Sequence, residues 1–234
     1  MSFASRRILL TGASRGIGLG AARLLLSEGA RIIGTGKDAA RLEAAAKELQ
    51  QIGDFHAVAA DLARPAEAAD ILAAAVQERW GALDILVNNA ALGGTSGGFT
   101  NGPAADLGRL LEVNLMAPHH LIRALVPLLE KGSEPRVLNV SSGAGQLRTL
   151  LYKNGNPNYC LSKYALNGLT ILWSRELKGR IAVNALNPGW IRTDMGGPEA
   201  PEEPSAGGRR ILQALSKPWD ETGKFWYGEE EMEW

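Results

Sequence analysis

The stretch Ile8-Leu9-Leu10-Thr11-Gly12-Ala13-Ser14-Arg15-Gly16-Ile17-Gly18 decides the fold. Three aliphatic residues in a row read as a short buried strand. A glycine-rich turn follows at once. Leu19 to Ser27 then reads as a helix, with Gly29 as its terminating glycine. Strand, glycine turn and helix make the first half of a βαβ unit. Such a turn aims free backbone N–H groups and the positive helix end at one point, which suits a diphosphate. Side chains there would hold the ligand away from the backbone, so glycines are required. The spacing is T-G-x-x-x-G-x-G, distinct from the G-x-G-x-x-G of ordinary dinucleotide-binding domains.

Working outward, Gly29 to Gly36 reads as the second strand. In a fold that binds NAD, an acidic residue ends this strand and grips the ribose hydroxyls. Here Gly36 stands there, followed by Lys37, and Arg15 lies inside the glycine turn. Two cations and no carboxylate suit a ribose 2′-phosphate, and hence NADP(H). Asp38 reads as the cap of the next helix.

The remaining chain alternates in the same way. Helices are expected over Ala39–Gln51 and Pro65–Trp80, and a long one over Ala104–Leu129 that carries Asn114. Another starts near Asn158, and one lies near Ser205–Ser216. Strands are expected at His56–Ala60, Leu83–Val87, Arg136–Val140 and Ile181–Leu186, with a short one near Phe225–Tyr227. Residues 93–102 and 143–157 read as loops, and 189–204, rich in Pro and Gly, as a mobile substrate loop. The pattern predicts one α/β domain over residues 1–234, a doubly wound parallel sheet with helices on both faces. Ligands of such sheets sit beyond the carboxyl ends of the strands. Gly12, Lys37, Asp61, Asn88, Ser142 and Pro188 all fall there.

Composition narrows the function. The 234 residues carry no formal net charge. There is no basic run to meet nucleic acid. One cysteine, Cys160, excludes an internal disulfide and fits a reducing compartment. The N-terminus leads directly into the first strand and leaves no room for a signal peptide. No apolar run reaches the length of a membrane span. A cytoplasmic location and no membrane partner are therefore expected. His119 and His120 lack partners at metal-ligand spacing, so no metal site is expected.

Asn156-Pro157-Asn158-Tyr159-Cys160-Leu161-Ser162-Lys163 carries the chemistry. Asn156 reads as the N-cap and Pro157 as the first helical residue. Tyr159 and Lys163 then share a helix face, one turn apart. A free tyrosine has a pKa of about 10. A neighbouring ammonium and a helix N-terminus both favour the phenolate, so the pair reads as a general acid–base unit with a lowered tyrosine pKa.

These motifs closely resemble the short-chain dehydrogenase/reductase family from Ile8 to about Thr222. The matching segments are T-G-A-S-R-G-I-G at 11–18, Asp61-Leu62, N-N-A at 88–90, Asn114 within V-N-L, Ser142 ending V-S-S, Y-C-L-S-K at 159–163 and N-P-G-W-I-R-T at 187–193. The resemblance implies a Rossmann-type sheet of seven parallel strands and a catalytic set of Asn114, Ser142, Tyr159 and Lys163. By that resemblance, Ser142 hydrogen-bonds the substrate carbonyl oxygen and Tyr159 protonates it. Lys163 holds the nicotinamide ribose and lowers the tyrosine pKa, and Asn114 positions a water. Gly12, Ser14, Arg15, Gly16, Ile17 and Gly18 line the phosphate loop. Asp61 and Leu62 meet the adenine, and Asn88 and Ala90 lie along the cofactor. Pro188, Ile191 and Thr193 contact its nicotinamide half. Trp190, following Pro188-Gly189, is expected to line the substrate pocket.

The sequence departs from the family at three places. N-N-A-G becomes Asn88-Asn89-Ala90-Ala91. The step from Ser142 to Tyr159 is longer than usual, so Leu150-Leu151-Tyr152-Lys153-Asn154-Gly155 should extend the pocket rim. The C-terminus lacks the common glycine-rich ending, which disfavours the family's tetramer. A dimer is expected instead, using positions such as Leu110, Leu121, Leu169 and Leu172. Glu229-Glu230-Glu231 reads as a solvated face, and Cys160 as a packed thiol. T-D-M-G-G-P at 193–198 and the aromatic, acidic tail resemble the carbonyl-reductase branch. The leading expectation is an NADPH-dependent reductase of a small carbonyl compound. The alternatives are an alcohol dehydrogenase working oxidatively and a non-catalytic NADP(H)-sensing or scaffold protein.

Overall fold

The computed structural model describes residues 2–95, 97–152 and 156–234. The first unit is the one the sequence announces. Strand β1 (Arg7–Thr11) runs into helix α1 (Gly16–Ser27) and returns as β2 (Arg31–Gly36), which pairs parallel with β1. Helix α2 (Ala39–Leu49) follows, and the Asp38 carboxylate caps it by accepting from the Arg41 N–H at 3.0 Å. Strand β3 (Phe55–Ala59), helix α3 (Pro65–Trp80) and strand β4 (Ile85–Asn88) continue the alternation. Strands β5 (Arg136–Val140) and β6 (Ala182–Leu186) are buried at every position, as expected of strands covered on both faces.

The strand order is β3-β2-β1-β4-β5-β6-β7-β8, where β7 is Phe225–Tyr227 and β8 is Glu230–Met232. The chain reverses direction of travel across the sheet between β1 and β4, which opens a crevice at their carboxyl ends. Strands β1 to β7 are parallel; β8 returns antiparallel to β7. The seven parallel strands are those expected, and β8 adds an eighth, antiparallel strand at the edge. It forms because Gly228, at φ 61°, opens a two-residue hairpin, and Glu230 pairs with Tyr227. The three glutamates at 229–231 remain exposed although two of them are strand residues.

Helices α1, α2 and α9 (Pro204–Leu215) cover one face of the sheet, where Leu25, Leu49 and Ile211 join Ile8, Leu10 and Ile32. Helices α3, α6 (Ala117–Leu129) and α8 (Pro157–Glu176) cover the other, packing Leu72, Leu125 and Trp173 against Leu9, Ile33 and Val183.

The helix expected over Ala104–Leu129 is three pieces. Helix α5 (Asp106–Leu111) passes into a π-helical turn, Glu112–Met116, and then into α6. Asn114 lies in the π turn. Such turns free backbone groups and are frequent at functional sites. Residues 143–157, expected as a loop, hold a 3₁₀ turn at Gly143–Gly145 and the short helix α7 (Leu147–Tyr152). The 93–102 segment contains one helical turn, α4 (Gly98–Asn101). Ser96 of that segment, and Lys153, Asn154 and Gly155 of the expected rim, lie outside the described residues. Leu150 and Leu151 are exposed and do not line the cleft described below, which corrects their assignment to its rim. Among the described residues no helix is long and apolar enough to cross a membrane.

Candidate active site

The glycine turn leaves β1 with Gly12 at φ 68° and enters α1 with Gly16 at φ 53°. Gly18 is fixed by close approach: a Cβ there would stand 2.1 Å from the Gly12 carbonyl oxygen. Arg15 precedes the helix without capping it, and no acidic residue occupies the first turn. The helix N-terminus is thus presented unneutralised. Asn89 secures the turn from the side, its amide donating to the Thr11 carbonyl at 2.8 Å. The Thr11 hydroxyl accepts from the N–H groups of Asn89 and Ala90 at 2.9 and 3.0 Å.

Arg15 and Lys37 are both exposed at the mouth of this turn. The Asp194 carboxylate ion-pairs with Arg15 and lies 3.8 Å from Arg41. Arg41 was not singled out by sequence, and its helical position after the capping aspartate is the only signal that could have found it. A carboxylate reached by two guanidiniums marks this cluster as one that accepts an anion. The uncapped helix, the glycine cradle and the cations together fit a phosphorylated dinucleotide. Asp61 lies just beyond β3 with its carboxylate accepting from the Ala63 N–H, and Leu62 is buried beside it.

Asn88 departs from expectation. Its side chain turns into the sheet and donates to Asn139 at 2.8 Å, and Asn139 donates to Thr170 at 2.9 Å. The Asn88 Oδ1 is buried without a hydrogen-bond partner among the described residues. Strand β4 is buried at each of its residues, so its last side chain is drawn into the interior.

Asn114 is also fully enclosed. Its amide accepts from the Leu92 N–H at 2.8 Å and donates to the Leu92 carbonyl at 2.9 Å and to Ser162 at 3.0 Å. The side chain pins the segment after β4 to the π turn and to α8. In this structure it acts as a positioning residue.

Helix α8 begins as the sequence predicts. The Asn156 side-chain Oδ1 caps the helix by accepting from the Tyr159 N–H at 3.1 Å, and Pro157 occupies the first turn. Its inward stripe is polar: Ser162, Lys163, Asn167 and Thr170 are buried. The Lys163 ammonium donates to the Val140 carbonyl at 2.8 Å and lies 5.8 Å from the Tyr159 ring centroid. Burial pushes Lys163 down to about 7. Tyr159 moves the other way: burial pushes it up to about 12, with Ser142 opposing the rise. This corrects the expected depression. Partial loss of hydration around the phenol outweighs the opposing contribution of Ser142. At neutral pH the tyrosine holds its proton. Ser142 follows β5 and accepts from the Ala144 N–H at 3.1 Å, with its hydroxyl beside that of Tyr159.

Ser142 and Tyr159 open into one cleft of about 670 Å³, bounded also by Ile17, Pro188, Ile191 and Thr193. Trp190 lines it as expected. The 189–204 segment is cross-tied rather than free along its length. Arg192 N–H donates to the Glu202 carbonyl at 2.7 Å, and Arg210 binds both the Pro188 carbonyl and the Glu202 carboxylate. A Cβ on Gly16 would meet the Thr193 side chain at 3.0 Å, so this segment touches the glycine turn. Among the described residues, no cluster of three His, Cys, Asp or Glu could hold a metal ion. Leu110 and Leu121, named for a dimer face, are core residues; Leu172 is exposed.

The parallel sheet, the glycine turn and the cleft bearing Ser142 and Tyr159, with Lys163 buried one helical turn behind, define a dinucleotide-dependent oxidoreductase architecture. The chain belongs to the short-chain dehydrogenase family, whose model matches residues 6–204. It is 31% identical to carbonyl reductase [NADPH] 1 of Sus scrofa, over 95% of this chain and 91% of that protein. The NADPH-bound carbonyl reductase from chicken fatty liver superposes with a TM-score of 0.87 at 28% identity, covering 99% of this chain and all of the other. The Pseudomonas aeruginosa RhlG/NADP active-site complex gives 0.85 at 30% identity, covering 97% and 95%.

Proposed function

We propose that this protein is an NADPH-dependent reductase of aldehydes or ketones. The observation that carries the reading is the convergence of Ser142 and Tyr159 on one cleft that the glycine turn also borders, through Ile17. Gly12, Ser14, Gly16, Ile17 and Gly18 would hold the diphosphate, with Arg15, Lys37 and Arg41 at the 2′-phosphate. Asp61 and Leu62 would border the adenine, Ala90 and the backbone of Asn88 the middle of the cofactor, and Pro188, Ile191 and Thr193 the nicotinamide half. When bound, the nicotinamide supplies the hydride.

The chain's own residues supply the rest. Ser142 donates its O–H to the substrate carbonyl oxygen and orients it. Tyr159 gives that oxygen a proton as negative charge develops there. The phenol holds its proton at neutral pH, the form in which it donates during reduction. Lys163, anchored on Val140, is placed to hold the nicotinamide ribose. Asn114 acts through Leu92 by fixing the wall of the site. A sensing or scaffold protein has no use for this set.

The test is a panel of aldehydes and ketones with NADPH, using the wild type and Tyr159→Phe. The wild type should turn over at least one class. The variant should lose on the order of 10²- to 10⁴-fold in kcat while NADPH still binds. Retention of more than about a tenth of wild-type turnover is less than a general acid supplies, and would remove Tyr159 from the mechanism.

A further inference from the structure

The far end of the cleft is built by a part of the chain outside every motif discussed so far. Tyr227 and Met232, one on each strand of the C-terminal hairpin, line it together with Trp190 and Met195. The hairpin is held at several points. Gln146 donates to the Glu233 carbonyl at 2.7 Å, tying the tail to the segment after Ser142. Phe225 and Trp234 stack with their ring centroids 5.4 Å apart. Asn187, itself a lining residue, directs its amide at the Met232 sulfur at 3.7 Å.

The chemistry of this end is uniform. Among the described residues, none that lines the cleft carries a formal charge. The Arg210 guanidinium stands 4.5 Å from the Tyr227 ring, but it is already paired with Glu202 and bonded to the Pro188 carbonyl. A carboxylate or phosphate brought to this end would lose its water and find no partner. Two thioethers beside a tryptophan and a tyrosine offer polarizable, adaptable surface to an apolar or aromatic body.

From this we infer that the C-terminal hairpin, through Met232, is the specificity wall of the substrate pocket, and that the pocket takes an uncharged carbonyl compound with a bulky apolar or aromatic body. The inference rests on the reductase reading above.

The experiment measures kcat/KM with NADPH for 2-butanone, acetophenone and 3-acetylbenzoate, in the full-length wild type, Met232→Ala and Met232→Lys. The thermal midpoint of each variant is recorded alongside. The wild type should favour acetophenone over the carboxylate-bearing ketone by about tenfold or more, the size of discrimination an apolar pocket supports. Met232→Ala should lose more on acetophenone than on 2-butanone, chiefly through KM. Met232→Lys should shift the ratio of acetophenone to 3-acetylbenzoate toward the anion by about tenfold, an outcome that general loosening would not produce. Turnover with unaltered ratios in both variants would overturn this inference alone. No turnover of any carbonyl compound by the wild type would overturn it together with the reductase reading.

Discussion

The first half of the sheet and the last half make their ligand surfaces in opposite ways. Around β1, β2 and α1 the surface is backbone: glycines at positive φ, an uncapped helix end, and exposed cations balanced by the Asp194 carboxylate. Around β5, β6 and the C-terminal hairpin it is side chain: a buried lysine, a half-buried tyrosine, and a wall of Trp, Tyr and Met drawn from distant segments. The first surface is polar, solvated and built within some thirty consecutive residues. The second is assembled across the fold. Charge is recognised in the first region and proton transfer is sheltered in the second.

That contrast can be sharpened by changing each region in turn. In the first, Arg15→Ala with Lys37→Ala should lower the ratio of kcat/KM for NADPH over NADH by about tenfold or more, since each change removes a charge-assisted contact to phosphate. Kinetics with both cofactors measure it. A ratio that stays unchanged would mean that neither cation reads the 2′-phosphate.

In the second region, the buried lysine leaves a signature in stability. The unfolded chain keeps the Lys163 proton up to a pH near its ordinary value of 10.5, whereas the folded chain releases it near 7. Between those limits the unfolded state binds more protons, so stability should rise with pH. Tyr159, pushed up to about 12 from 10.0, acts in the opposite sense and only above pH 10. Denaturant melts of the ligand-free protein from pH 7 to 9.5 should therefore give a smaller upward slope in Lys163→Met than in the wild type. Parallel slopes would show that Lys163 does not release its proton in the folded state.

The same contrast explains what could be read from the sequence. Gly12, Gly16 and Gly18 were legible because backbone geometry admits little else there. Asn156 and Asp38 were legible because capping is local. The π turn around Asn114 was not, since its residues continue an unbroken helical pattern and only the anchoring of Leu92 reveals its position. Asn88 stood at a strand end, where sequence reads a ligand contact, but burial of β4 turns it inward. The tyrosine shift was read with the wrong sign because spacing reports the neighbouring lysine and not the loss of water around both groups. Strand β8 left one signal, the alternation Glu231-Met232-Glu233-Trp234 after Gly228, which period-two patterning could have identified. Its contribution to the cleft depends on a hairpin folding back across the sheet edge, and no local pattern carries that.

Direct transfer of hydride to a carbonyl carbon is the central claim, and isotope labelling tests it most directly. The wild-type protein would be incubated with acetophenone and, separately, an aliphatic aldehyde, using NADPH that carries deuterium on the transferable face of the nicotinamide. The product alcohol would be examined by mass spectrometry. The expected result is one deuterium on the carbinol carbon, formed in step with NADPH consumption. Consumption of NADPH without a labelled alcohol, across both substrate classes and both labelled faces, would contradict it.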